Sequence, residues 1–294
     1  MKTPFLYRPT NYLDRLPELF GAIAIAAGIA VLLVWIYDQW LLMVPVVGSR
    51  AMEPSAAVAF VLLGVNFVLV RGERSAWGRT AFVVVSCVNV AVALAILLRY
   101  TTGFGIELNA ALFPEKVIRE FGPADVYTSP QTALLFFLVG ASLLLLRFRI
   151  KPIAWTSQLL GSAALIVSLA LAISDLFKLT ITDLGQNNTR TPFASAALFA
   201  ILSFGALLAH RENGMLSIFW SESAGGELTR RILPFVVLFP ILVGWLRLVG
   251  EWRGFYSSEF GVVIFTAATI FGFSFTVWLT ARSLDRSDLE RRQA

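Results

Sequence analysis

The chain has 294 residues, of which 57% are hydrophobic and only 15% charged, with a mean hydropathy of +0.74 and a formal net charge of +5. Soluble domains carry about 25% charged residues, so this composition excludes a soluble globular enzyme and describes a polytopic membrane protein. The positive charge does not mark a nucleic-acid surface, because the basic residues are scattered through short loops between apolar runs. The single cysteine, Cys87, lies inside an apolar run and offers neither a disulfide nor a cysteine metal site.

A membrane-crossing helix needs roughly 20 mostly apolar residues, because the hydrocarbon core is about 30 Å thick. In chain order, eight segments qualify: about Leu19 to Ile36, Pro54 to Val70, Thr80 to Leu98, Pro130 to Leu146, Leu159 to Leu176, Phe193 to Ala209, Ile232 to Leu248 and Phe260 to Leu279. The first follows acidic Asp14 and Glu18 and is too long for the apolar core of a cleaved signal, so it is expected to remain as a span. Of the 24 Lys and Arg, 16 fall on the side of both termini, among them Arg15, Arg79, Arg147, Arg230 and Arg282. The positive-inside rule then places both termini in the cytoplasm. Trp35, Trp40, Trp245 and Trp252 fall at the outer span ends, and Trp77, Trp155, Trp220 and Trp278 at the inner ones, as an aromatic belt predicts.

The even-numbered spans repeat. "PSAAVAFVLLGVNFVLVR" and "PQTALLFFLVGASLLLLR" place Pro54 over Pro130, Ala57 over Ala133, Phe60 over Phe136, Gly64 over Gly140 and Arg71 over Arg147. A third copy, "PFASAALFAILSFGALLAH", fits with one extra residue after its proline, giving Pro192, Ala196, Phe199, Ser203 and His210. Each copy reads as a helix entered at proline, with a small mid-span residue for close helix contact and a cation at the cytoplasmic end. The expected fold is therefore all-α, with eight transmembrane helices arranged as three repeated hairpins and a fourth, divergent one.

Together with the repeat, "YTTGFGIELNAALFPE", "SESAGGELTRRILP" and "FPILVGWLRLVGEWRGFYSSEFG" resemble the N-terminal polytopic sensor regions of bacterial sensor histidine kinases and related signalling proteins. The closing "ARSLDRSDLERRQA" resembles the start of the helix that joins the last span of such proteins to a PAS, GAF or kinase region. The resemblance implies an input module in the bacterial inner membrane, covering residues 1–279, with residues 280–294 beginning a cytoplasmic connector. It also implies a cytoplasmic output domain as partner, an external or membrane-borne stimulus, and a homodimer. No phospho-accepting histidine segment, Gly-rich ATP lid or GGDEF-like signature is present, so no catalytic residue is assigned.

No cofactor or metal site is expected. The lone histidine, His210, takes the place held by Arg71 and Arg147 in the other copies and reads as an interfacial end-cap, since haem and zinc sites need more ligands. Asn187, Asn188 and Thr189 form an N-x-T sequence that reads as loop in a bacterial chain. A small-solute transporter or channel is the rival class, with a stand-alone membrane scaffold as a third. Pumps and coupled transporters bury ionisable groups deep in the bundle, whereas only Asp175 and Arg247 fall within the eight spans, both near outer ends. Asp38, Arg99, Asp175 and Lys178, with Glu107 on its loop, are candidates to line an outward-facing polar vestibule for a small ligand. Asn66 and Asn89 lie deeper, where an amide usually bonds a neighbouring helix.

The fourth hairpin is where a signal would pass. Pro234 sits in the first turn of the seventh span, but Pro240 is mid-span, where it removes a backbone hydrogen bond and predicts a kink and a hinge. Arg247 and Glu251 are spaced to pair across one helical turn. No helix breaker follows Gly272, and Arg286 with Glu290 and Asp288 with Arg292 are further i, i+4 pairs, so the last span is expected to continue as a solvated connector helix past Leu284.

Overall fold

A computed structural model of the protein describes residues 15–38, 52–70, 75–103, 108–121, 128–148, 150–176, 191–209 and 224–293. They form helices and no strand: α1 (Leu16–Tyr37), α2 (Pro54–Leu69), α3 (Ala76–Thr102), α4 (Leu108–Leu112), α5 (Pro114–Phe121), α6 (Pro130–Leu145), α7 (Lys151–Leu176), α8 (Phe193–Ala209), α9 (Ala224–Trp252) and α10 (Ser258–Gln293). Five of them, α1, α3, α7, α9 and α10, contain stretches long and apolar enough to cross a membrane. The protein is thus a multi-pass membrane protein by the length and composition of its helices. The remaining apolar helices, α2, α6 and α8, have 16, 16 and 17 residues. At 1.5 Å per residue they are about 24 to 26 Å long, short of the hydrocarbon thickness.

Proline sets where these short helices begin. The residue before a proline is pushed to extended backbone, and Glu53 (φ −70°, ψ 147°) and Ser129 (φ −60°, ψ 144°) adopt it, so α2 and α6 start at the proline itself. The long helices run past their apolar windows instead. Ser75 accepts a hydrogen bond from the Gly78 N–H at 2.9 Å and starts α3 four residues before Thr80, and α7 begins at Lys151 rather than Leu159. The extensions, residues 76–79 and 151–158, are not strong helix formers; the Ser75 cap starts the first, and in the second Pro152 falls in the first turn of α7, where its missing N–H costs little.

The chain divides into two units, Met1–Leu216 and Ser217–Ala294. In the first, each short helix packs lengthwise on a long one: α2 on α1, α6 on α3, α8 on α7. Each also touches the long helix of the next pair, α2 on α3, α6 on α7, and α8 back on α1, so the arrangement closes cyclically. The axis is filled by residues at matching places in the repeat. The rings of Phe60, Phe136 and Phe199 lie 4.6 to 5.0 Å apart, centroid to centroid, and tilted 49° to 71°, within the favourable range for aromatic pairs. One turn earlier come Ala57, Ala133 and Ala196; beyond come Leu63, Val139 and Leu202, then Phe67, Leu143 and Ala206, all buried. The last layer compensates volume: the Phe67 ring reaches over Gly205, beside the small Ala206, where a Cβ would lie 3.1 Å from its Cε1.

The seams between successive pairs follow the same register. Asn66 on α2 donates to Ser86 Oγ on α3 at 2.7 Å. Ser142, twelve residues after its proline as Asn66 is after Pro54, joins α6 to α7: its Oγ donates to the Ser157 carbonyl at 2.9 Å, and Ser157 Oγ donates back to the Ser142 carbonyl at 2.7 Å. At the closing seam Gly205 faces the Phe20 ring instead, and contact there is apolar.

The second unit is the pair α9 and α10. Phe239 stacks on Phe235 at 4.8 Å and seats its ring on Gly272 of α10. The helix continues through both Pro234 and Pro240. α10 has 36 residues and runs unbroken through residue 279, where the connector was expected to begin.

Candidate functional site

Polar side chains gather where α2, α6 and α8 begin. The residue before each proline, Glu53, Ser129 and Thr191, is buried. In the pairing of α6 with α8, Ser129 Oγ accepts from the Thr132 N–H at 3.2 Å and donates to Thr132 Oγ1 at 2.7 Å, while Thr191 Oγ1 lies 3.2 Å and 3.0 Å from those two oxygens. At α2 the Ser55 N–H donates to Asn109 Oδ1 at 2.9 Å, and Asn109 Nδ2 donates to Glu53 Oε2 at 3.3 Å. Asn109, from α4, thereby satisfies a backbone N–H that the first turn of α2 leaves without a helical partner. Ser55 Oγ and Thr128 Oγ1 are 2.6 Å apart, and the Tyr100 hydroxyl donates to the Thr128 carbonyl at 2.6 Å.

Over this end lies a lid formed by α4 and α5. Phe113 stacks on Trp35 at 6.0 Å, and the buried Trp35 indole donates to the Met52 carbonyl at 3.0 Å. Lys116 Nζ donates to the last-turn carbonyls of Trp35 at 2.7 Å and Ile36 at 3.0 Å, where the α1 dipole favours a cation. Asp38, in left-handed conformation after α1 (φ 56°), pairs with Arg119 at 2.7 Å and Lys116 at 3.7 Å. Trp35, expected in an interfacial belt, is instead part of the lid's buried footing.

The candidate vestibule residues are placed as follows. Asp38 holds the lid. Asp175 Oδ2 accepts from the Phe193 N–H at 2.8 Å and so caps α8. Arg99 lies in the last turn of α3, next to the left-handed Gly103 that ends it. Glu107 and Lys178 lie outside the described residues, as do His210, Arg71 and the Asn187–Thr189 sequence. Of the two deep amides, Asn66 bonds a neighbouring helix, whereas Asn89 donates to Val85 of its own helix at 3.1 Å. Sequence reasoning missed the lid and the buried residue before each proline; the dipeptides Glu53-Pro54, Ser129-Pro130 and Thr191-Pro192 are the signal that could have found the latter.

In the second unit, Arg247 and Glu251 pair at 3.3 Å. Arg247 Nη2 also donates to the carbonyl and Oγ of Ser258, the first residue of α10, at 3.1 and 3.0 Å. The Tyr256 hydroxyl donates to the Arg247 carbonyl at 2.9 Å, and Gly254 takes the positive φ (71°) that the turn requires. This clasp fixes how α9 passes into α10. Pro240 lies seven residues before it, inside α9, and Leu284 lies on α10.

Among the described residues no group of His, Cys, Asp and Glu is arranged to hold a metal ion. Protein-family models, curated proteins and solved structures give no match to this chain.

Proposed function

We propose that the chain is the membrane-embedded input module of a bacterial signal-transduction protein, a two-component sensor histidine kinase in its simplest form. Its last helix passes a stimulus to a cytoplasmic output domain. The observation that carries this reading is α10. Its 36 residues extend about 54 Å, against about 30 Å of hydrocarbon. Apolar character ends near Trp278, whose ring lies 5.4 Å from the Arg282 guanidinium, the cation-and-aromatic pairing suited to a membrane edge. Beyond that point the same helix continues into charged sequence.

In this reading eight helices cross the inner membrane with both termini in the cytoplasm. The short α2 and α6 complete their crossings with extended backbone before the proline, and α8 with its own proline-led entry. Such backbone is tolerated at membrane depth only where protein covers it, and Met52, Glu53, Thr128, Ser129, Thr191 and Pro192 are buried. The lid and vestibule side faces outward, where a stimulus that changes the packing of the first unit would act.

The test is a chimera with a histidine-kinase core grafted after Ala294. A Cβ at Gly64 would stand 2.5 Å from the Gly21 carbonyl oxygen, so Gly64→Ala must push α1 and α2 apart. Gly140→Ala meets only ordinary contact, 3.4 Å from Val90 Cγ2. Autophosphorylation at equal membrane abundance should shift with Gly64→Ala and stay at the parental level with Gly140→Ala. Equal output from both would remove the first unit from the signalling path.

A further inference from the structure

We propose that one face of α10 is a docking surface for an anionic phospholipid, whose phosphate meets Arg282 and whose acyl chain lies along the rings of Trp278, Phe275 and Phe271. The inference rests on α10 crossing a membrane and is independent of the signalling role.

Phe271, Phe275, Trp278 and Arg282 stand at i, i+4, i+7 and i+11 and so share one face of the helix. Their side chains form a ladder. Phe271 and Phe275 stack at 6.3 Å with 6° between their planes, and Phe275 and Trp278 at 5.9 Å with 26°. The Arg282 guanidinium, 5.4 Å from the Trp278 ring, ends it. Near-parallel planes make the three rings a continuous apolar wall, and at 73%, 48% and 52% exposed they are left open to the bilayer by the chain itself.

Length and packing identify the occupant. Arg282 is the first charged residue after Glu259 and so marks the membrane edge. Phe271 lies 11 residues before it, about 16 Å along the axis, against about 15 Å for half of the hydrocarbon core. The ladder therefore spans one leaflet, the reach of a phospholipid chain, whereas a second helix has no reason to stop at the midplane. Helices in membranes also close on small residues; α10 presents Gly272 to the Phe239 ring of α9, and the ladder holds only bulky side chains. Charge selects the headgroup. Among the described residues the Arg282 guanidinium has the Trp278 ring beside it and no carboxylate, which leaves N–H donors for a phosphate, and Arg can hold a phosphate with two parallel hydrogen bonds. A zwitterionic headgroup would bring its own cation close to Arg282, so a net anionic one is favoured.

The experiment uses the full chain in phosphatidylcholine nanodiscs and two photoactivatable probes with the same diazirine-bearing acyl chain, a phosphatidylglycerol and a phosphatidylcholine. Labelled positions are mapped by mass spectrometry. The phosphatidylglycerol probe should label Phe271, Phe275 and Trp278 about fivefold more than the phosphatidylcholine probe, the preference that one basic residue near the surface confers on an anionic lipid. Ile270 and Val277, as exposed but off the ladder, should show no such excess. Unlabelled phosphatidylglycerol should compete, and inorganic phosphate, which has no chain to lie on the rings, should not. Arg282→Gln should bring the two probes level, whereas Arg253→Gln, which removes an exposed charge at the far end of the helical pair, should leave the preference intact. The comparison in the parent chain needs no variant. Equal labelling there would reduce the face to ordinary lipid contact, and no labelling by either probe would mean that a second copy or a partner helix covers it. Either result would overturn the proposal, as would an excess shared by Ile270 and Val277, competition by inorganic phosphate, a preference that survives Arg282→Gln, or one lost in Arg253→Gln.

Discussion

Gly64 and Gly140 occupy the same place in the repeat, yet the structure gives them different roles. Gly64 and Gly21 face each other so closely that a Cβ on either falls 2.5 to 2.7 Å from the other's carbonyl oxygen, and backbone oxygens cannot rotate away. Gly140 has room for a methyl group. Gly64→Ala should therefore destabilise the first unit by about 1–3 kcal/mol, the usual range for overpacking. Gly140→Ala should be neutral or slightly stabilising, because alanine favours the helix by up to about 1 kcal/mol. Thermal unfolding in one detergent, followed by loss of monodispersity, would show the contrast. The repeat revealed that a small residue belongs at each place. It could not reveal which of them meets another backbone, because that depends on the opposing helix: Gly64 meets the Gly21 carbonyl of α1, whereas Gly140 meets Asn89 and Val90 of α3.

At the scale of elements, the helices most legible in sequence are those whose start is fixed by one residue, as at Pro54 and Pro130. Less legible were the lengths of the long helices, where the apolar run stops short of the residue that caps the helix, as between Ser75 and Thr80. The lid was illegible for a different reason. Helices of 5 and 8 residues carry too little periodicity to stand out, and Lys116 finds its partners at Trp35 and Ile36, 81 and 80 residues away. Replacing that ammonium with a methyl thioether in Lys116→Met should loosen α5 from α1 at a cost of about 1 kcal/mol. Hydrogen exchange should rise in residues 108–121 and leave α6 unchanged. The crossing pattern of the elements has its own check. A reporter active only in the cytoplasm should signal when fused at Trp77, Trp155 or Ala294 and stay silent at Glu115 and Asn188. Signal at Glu115 would put the lid on the wrong side of the membrane.

Taken whole, the molecule combines a cyclic set of six apolar helices around three phenylalanines with a separate helical pair that ends in a long continuous helix. Sequence alone aligned Phe60, Phe136 and Phe199 in register. Their meeting on one axis is a property of how three pairs pack and has no signature within any single helix. Arg247 and Glu251 were legible as an i, i+4 pair, whereas Ser258 and Tyr256 were not, because they join the clasp only through the turn at Gly254. In the proposed function, the clasp would set the rotational position of α10, and α10, one continuous helix, would transmit rotation.

That claim is tested most directly by inserting one to seven residues between Ser283 and Leu284 in the chimera carrying a histidine-kinase core after Ala294. Each added residue turns the downstream helix by about 100°, and seven bring it within about 20° of its starting face. Autophosphorylation, compared at equal expression, should change with one inserted residue, vary with insertion length at the helical period, and return close to the parental level at seven. Output that is the same at every length would contradict the account and leave α10 as a membrane anchor alone.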